Sequence, residues 1–174
     1  MRSVPKSLRR CAIEVEGWLE FGCPERALAR VDRLLEHPGG RVEGLRFRAA
    51  ARIGVGEYRG ALEDLTKLRS FEHDVETVEL QSAWCHKRLR EVDSAIACMR
   101  RLIEHDRRSA IGHYNLACYL ALQGQSDEAL ERLAHACGLE PDYRDQLAGE
   151  SDFDLVRDDP LFQALIPRPR PDPR

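Results

Sequence analysis

Cysteine, histidine and the carboxylates are the residues of this chain that could ligate, attack or move protons. The six cysteines are Cys11, Cys23, Cys85, Cys98, Cys118 and Cys137. They contain no C-x-x-C pair, and none stands at helical spacing from a histidine so as to close a tetrahedral metal site. They read as reduced thiols serving as small apolar side chains. His86, His113 and His135 fall inside predicted helices, on different faces. His105, Asp106 and Ser109 gather at a helix end, where dipole and capping interactions account for them. No glycine-rich phosphate loop, H-E-x-x-H or G-x-S-x-G stretch is present. The expectation is a chain that is not an enzyme and holds no metal or cofactor.

Charge narrows the partners further. The formal net charge is −3, so no global positive field draws the chain to nucleic acid or an anionic membrane. Lys87-Arg88-Leu89-Arg90, Arg100-Arg101 and Arg107-Arg108 are local basic clusters. With only 6% aromatic residues to interleave with them, they read as solvated helix faces and not as an RNA surface. No apolar run approaches the roughly 20 residues that a membrane span needs. The start, Met1-Arg2-Ser3-Val4-Pro5-Lys6, has no apolar core behind its charge and is not a signal peptide. These features lead to an expected cytoplasmic location.

The elements that would position any site follow a repeat. Ala27, Ala61, Ala95 and Ala129 are spaced by 34 residues. Five residues before each stand Gly22, Gly56, Arg90 and Gly124. Four residues after them come Val31, Leu65, Met99 and Leu133, and seven after come Leu34, Leu68, Leu102 and Ala136. Turn, small residue and apolar stripe recur in phase four times, which is the signature of a repeat architecture.

A 34-residue period is the tetratricopeptide one, and the last unit carries the resemblance best. His113-x-x-Leu116-Ala117-x-x-Leu120 stands where that family has W-x-x-L-G-x-x-Y, and Ala129-x-x-x-Leu133 with Pro141 stands where it has A-x-x-x-F and P. The chain resembles a bacterial-type tetratricopeptide array. The resemblance implies an all-α, right-handed superhelical solenoid of four helix-turn-helix units, 8–41, 42–75, 76–109 and 110–143. Two positions depart from the pattern: Arg90 replaces the turn glycine of unit three, and Arg48 stands where a leucine is usual.

Outside the repeats, 1–7 reads as a polar leader and 167–174 as an extended, disordered tail of alternating proline and charged residues. Segment 144–166 contains Asp152-Phe153-Asp154-Leu155-Val156-Arg157-Asp158-Asp159-Pro160-Leu161-Phe162. It resembles the D-F-D-x-x-R-x-D-P-x-F stretch that closes many bacterial arrays, and it is expected to cap the last unit, since a solenoid has two raw ends. Ser7, Asp74, Ser109, Ser126 and Asp159 are the predicted helix caps, and Pro160 suits the first helical position after Asp159.

In this family the first helix of each unit lines a concave groove. Carried over slot by slot, the groove holds Arg46 in unit two, then Leu80, Trp84 and Lys87 in unit three, then Ile111, Tyr114 and Cys118 in unit four. Leu80, Trp84, Ile111 and Tyr114 would form apolar anchors, with Arg46 and Lys87 orienting polar groups. Asn115, one residue on, is placed to hydrogen-bond an extended peptide backbone. The set that clamps a carboxy-terminal carboxylate in chaperone-type relatives is absent. The resemblance therefore implies a non-catalytic scaffold or adaptor that binds a peptide or helix. The alternatives are a self-assembly module or a chaperone-like regulatory subunit, with the groove filled by a second copy or by the chain's own tail.

Overall fold

The computed structural model describes residues 5–71 and 74–167, and among them there are helices and no strands. The chain divides into two compact units, Met1–Arg90 and Glu91–Arg174. The division falls at the turn inside the third 34-residue repeat. Residues 1–4 and most of the proline-rich tail, 168–174, lie outside the described residues.

The first unit holds α1 (Arg9–Glu20), α2 (Pro24–Leu35), α3 (Arg41–Gly54), α4 (Tyr58–Arg69) and α5 (Val75–Arg88). Their apolar positions recur at helical spacing and close two successive cores. Cys11, Ala12 and Val15 of α1 meet Ala27, Val31 and Leu34 of α2 and Phe47 and Ala51 of α3. On its other side, α3 gives Leu45 and Ala49 to a second core with Ala61, Leu65 and Leu68 of α4 and Val78 and Cys85 of α5. Because α3 buries two faces, its alanines keep the interhelical distance short on both.

The second unit holds α6 (Val92–His105), α7 (Ala110–Leu122), α8 (Ser126–Leu139), α9 (Tyr143–Gln146) and α10 (Pro160–Leu165). Nine of the 13 residues of α7 are buried, so this helix is covered nearly all round. It packs on α6 and α8, and on a 3-10 turn, Ser151–Val156, that contributes the fully buried Phe153. Phe162 of α10, also fully buried, lies 5.6 Å from Phe153 between ring centroids. Asp159 accepts from the Leu161 amide at 2.8 Å and Pro160 opens α10, as the sequence suggests.

The repeat turns share one geometry. Gly22, Gly56 and Gly124 have φ of 66°, 81° and 74°. Around them the amides of Cys23, Glu57 and Gln125 reach back to the carbonyls of Trp18, Arg52 and Leu120 at 2.8, 2.8 and 3.0 Å. These are the six-to-one bonds of a left-handed helix terminus. Arg90 adopts the same conformation, φ 62°, with its amide on the Lys87 carbonyl at 3.0 Å. The turn therefore survives without its glycine, at the expense of backbone strain.

Two capping expectations are corrected. Ser7 lies inside a 3-10 turn, Lys6–Leu8, and Leu8 precedes α1 with no side-chain cap. Ser126 is the first helical residue of α8 and not its cap. Gln125 takes the cap position because its amide closes α7 while its carbonyl accepts from Ala129 at 3.0 Å. Asp74 and Ser109 do cap, accepting from Thr77 at 3.2 Å and Gly112 at 3.1 Å.

A left-handed non-glycine residue costs about 1–2 kcal/mol, and Arg90 is exposed. Arg90→Gly is expected to raise unfolding free energy by about 1 kcal/mol, read as a higher urea midpoint at unchanged slope. A lower midpoint would contradict the strain assigned to this turn.

Candidate protein-binding surface

The side chains expected to line the first-helix surface are set up by buried charge as much as by apolar packing. Arg48, in a slot where leucine is usual, lies flat on Asp64 of α4, with Nε to Oδ2 at 2.9 Å and a terminal nitrogen to Oδ1 at 2.7 Å. Arg52 joins the same carboxylate at 2.8 Å and also donates to the Gly60 carbonyl at 2.8 Å. Asp64 is fully buried, and its hydrogen bonds hold the Arg48 guanidinium still more firmly protonated. A carboxylate out of water is tolerable only with partners of this kind. Glu79 of α5, 2% exposed, is held likewise by Arg69 of α4 at 2.6 and 3.2 Å. These two networks fix α3 and α5 against α4.

On α5, Trp84 keeps 42% of its surface exposed, although it is a large apolar side chain. Tyr58 of α4 meets its ring edge-to-face, 5.4 Å between centroids. Arg88, one turn further along α5, lies 5.7 Å over Trp84 and 5.8 Å over Tyr58, and donates from Nε to the Tyr58 hydroxyl at 3.3 Å. The indole thus packs against Tyr58 and Arg88 while much of it stays at the surface. Arg88 and Tyr58 were missed by slot reasoning. The spacing of Trp84 and Arg88 by four on one helix was the available signal.

The remaining slots of the first unit are half-buried. Arg46 is engaged by Glu43, stands 3.9 Å from Glu16, and lies 4.6 Å over the Phe47 ring. Leu80 and Lys87 are partly exposed on α5.

In the second unit the slots are treated differently. Tyr114 is 7% exposed, stacked on Tyr143 at 4.5 Å and edge-to-face with Phe153 at 5.9 Å. Burial pushes its phenol up from the ordinary value. Cys118 is 2% exposed. Neither is presented to a partner here, because the segment past Pro141 covers this part of α7. Ile111 and Asn115 remain half-buried, and the Asn115 amide donates to the Ile111 carbonyl at 3.0 Å. That bond occupies one of its two N–H groups and leaves the amide oxygen.

Cys11, Cys85, Cys98, Cys118 and Cys137 are buried free thiols, and burial pushes Cys85 up to about 11. Among the described residues no cluster of three metal-ligating side chains forms, and no helix is long and apolar enough to cross a membrane. His113 and His135, read from sequence as lying on different faces, are brought to 4.3 Å between ring centroids by the α7–α8 hairpin. His113 is 3% exposed, with its Nε2–H on the Arg107 carbonyl at 3.2 Å.

The architecture has counterparts among solved structures. A MamA RS-1 double mutant superposes with a TM-score of 0.72 at 15% identity, over 93% of this chain and 96% of that one. A crystal structure of MamA gives 0.68 at 18%, over 87% and 91%. YrrB, described as a tetratricopeptide protein with an unusual peptide-binding site, gives 0.67 at 16%, over 87% and 78%. The fold is a tetratricopeptide fold. No protein-family model matches the chain, and no curated protein matches it significantly.

His113 generates a pH prediction. Burial, then His135 and Arg132, hold its imidazole below the ordinary value near 6.5, outweighing the Arg107 carbonyl and Asp106. The folded chain takes up a proton there less readily than the unfolded chain, which does so near 6.5. Its contribution is complete above that pH and is lost as pH falls below it. The drop in melting temperature between pH 7.5 and 5.5 is therefore expected to be smaller in His113→Gln than in wild type. Equal drops would show that His113 titrates alike in both states.

Proposed function

We propose that this protein is a non-catalytic interaction scaffold that binds a peptide or helix of another protein on its first-helix surface. The observation that carries the reading is Trp84, left 42% exposed yet held by Tyr58 and Arg88. A rigid, partly desolvated indole beside an arginine is the usual composition of a binding hot spot, where few residues dominate affinity. Leu80 extends its apolar surface along α5, and Arg46 and Lys87 orient polar groups of the partner. Within the second unit, Ile111 and Asn115 form a separate, smaller surface on α7. Tyr114 and Cys118 serve beneath it as floor. A peptide-binding site is described for YrrB, which shares the fold.

A random peptide library displayed on phage, selected on the immobilised wild-type chain, tests the reading. Enriched peptides are expected to bind Trp84→Ala at least tenfold more weakly, about 1.4 kcal/mol, and Trp18→Ala as wild type. Absence of enrichment, or equal binding to a folded Trp84→Ala, would sink the proposal.

A further inference from the structure

The free face of α1 is built like a surface meant to be covered. Ile13 and Phe21 are 57% and 80% exposed. With Glu14, Gly17, Trp18 and Arg30 they line an open hollow of about 430 Å³. The repeat register says what such a face does. One period on, Ile13 corresponds to Phe47 and Gly17 to Ala51. Those two are 2% and 0% exposed, packed into the core that α1 and α2 offer to α3. The same slots that dock the second repeat on the first are open to solvent on the first repeat itself.

Charge around the hollow selects the occupant. Arg10 and Arg30 have side chains 92% and 56% exposed, and Arg26 lies 4.6 Å over Trp18. Arg10 and Arg30 bond Glu14 at the rim, at 3.2 Å and 3.3 Å. Glu20, seven residues after Ile13 and so on the same face of α1, is a second carboxylate, which leaves three arginines against two. Elsewhere in the chain, segment 154–161 carries the converse surface. Leu155 and Leu161 are 70% and 66% exposed, among Asp154, Asp158 and Asp159. The one arginine of that segment, Arg157, is turned onto Asp154 and the carbonyls of Ala148 and Glu150.

We propose that the α1 face of one molecule, centred on Ile13, Gly17 and Phe21, binds the acidic segment 154–161 of a second copy of this chain, head to tail. Exposed leucines enter the hollow, and the aspartates meet Arg10, Arg26 and Arg30. The contact is heterologous, so each molecule keeps one free surface of each kind and association continues until a ring closes or a filament grows. High salt weakens it, because the charges at its rim are exposed. It uses none of the groove residues and stands independently of the groove reading.

Sedimentation velocity over a concentration series, at low and high salt, tests the proposal with two variants. Ile13→Glu with Phe21→Glu blocks one surface, and Leu155→Glu with Leu161→Glu blocks the other. All four positions are exposed, and circular dichroism checks that both variants fold. Wild type is expected to rise above monomer mass with concentration and to fall back in high salt. Each variant alone stays a monomer. Their equimolar mixture forms a discrete one-to-one dimer, because one intact surface of each kind remains. A wild-type monomer throughout overturns the proposal. So does a dimer that the leucine variant retains, which would mean that two α1 faces pair with each other, and so does a mixture that remains monomeric.

Discussion

Close approach of paired helices at one alanine per repeat is the constraint on which this structure depends. Ala27, Ala61 and Ala95 are fully buried and Ala129 is 1% exposed. A larger side chain at any of them would overpack the pair at roughly 1–3 kcal/mol. Because the helices close so tightly, the chain between them must reverse in a few residues, which requires the left-handed turn five residues earlier. Alanine and turn are therefore two expressions of one distance. Arg90 shows which matters more: the turn tolerates a strained arginine, while the alanine of the same repeat is kept.

Within that frame, polar groups set what is buried and what is offered. Arg48 and Arg52 on Asp64, and Arg69 on Glu79, place paired charge between α4 and its two neighbours, α3 and α5. Removing one partner of such a pair leaves a buried charge uncompensated, at about 3–5 kcal/mol. These networks hold α5 so that Trp84 remains at the surface against Tyr58 and Arg88. In the second unit Tyr143 and Phe153 take up Tyr114, the counterpart of Leu80 one period on, and make that position core. The first unit thus carries the stronger claim to a partner.

The period, the glycine turns and the Asp159-Pro160 helix start were legible because each is a local rule repeated or confined to a few residues. The fold followed from them. The Asp64 network was not legible: Arg48 reads as a defect until α4 is folded against α3, and its partner lies 16 residues away. Tyr114 was placed in a groove because register alone cannot say that a segment without register, 143–156, folds back on α7. Likewise His113 and His135 share no helix, and only the hairpin brings their rings together. Ser7 and Ser126 were each misplaced by one residue because the backbone bonds of neighbouring turns, and not side-chain preference, decide where those helices begin.

The central claim is that partners engage the surface around Trp84 and leave the Tyr114 cover in place. Amide hydrogen exchange of the full chain, with and without a saturating selected peptide, tests it most directly. The account predicts added protection concentrated on α5 and the first turn of α4 at Tyr58, with the segment 143–156 unchanged. Protection absent from α5, or deprotection of 143–156 as the peptide enters, would contradict it.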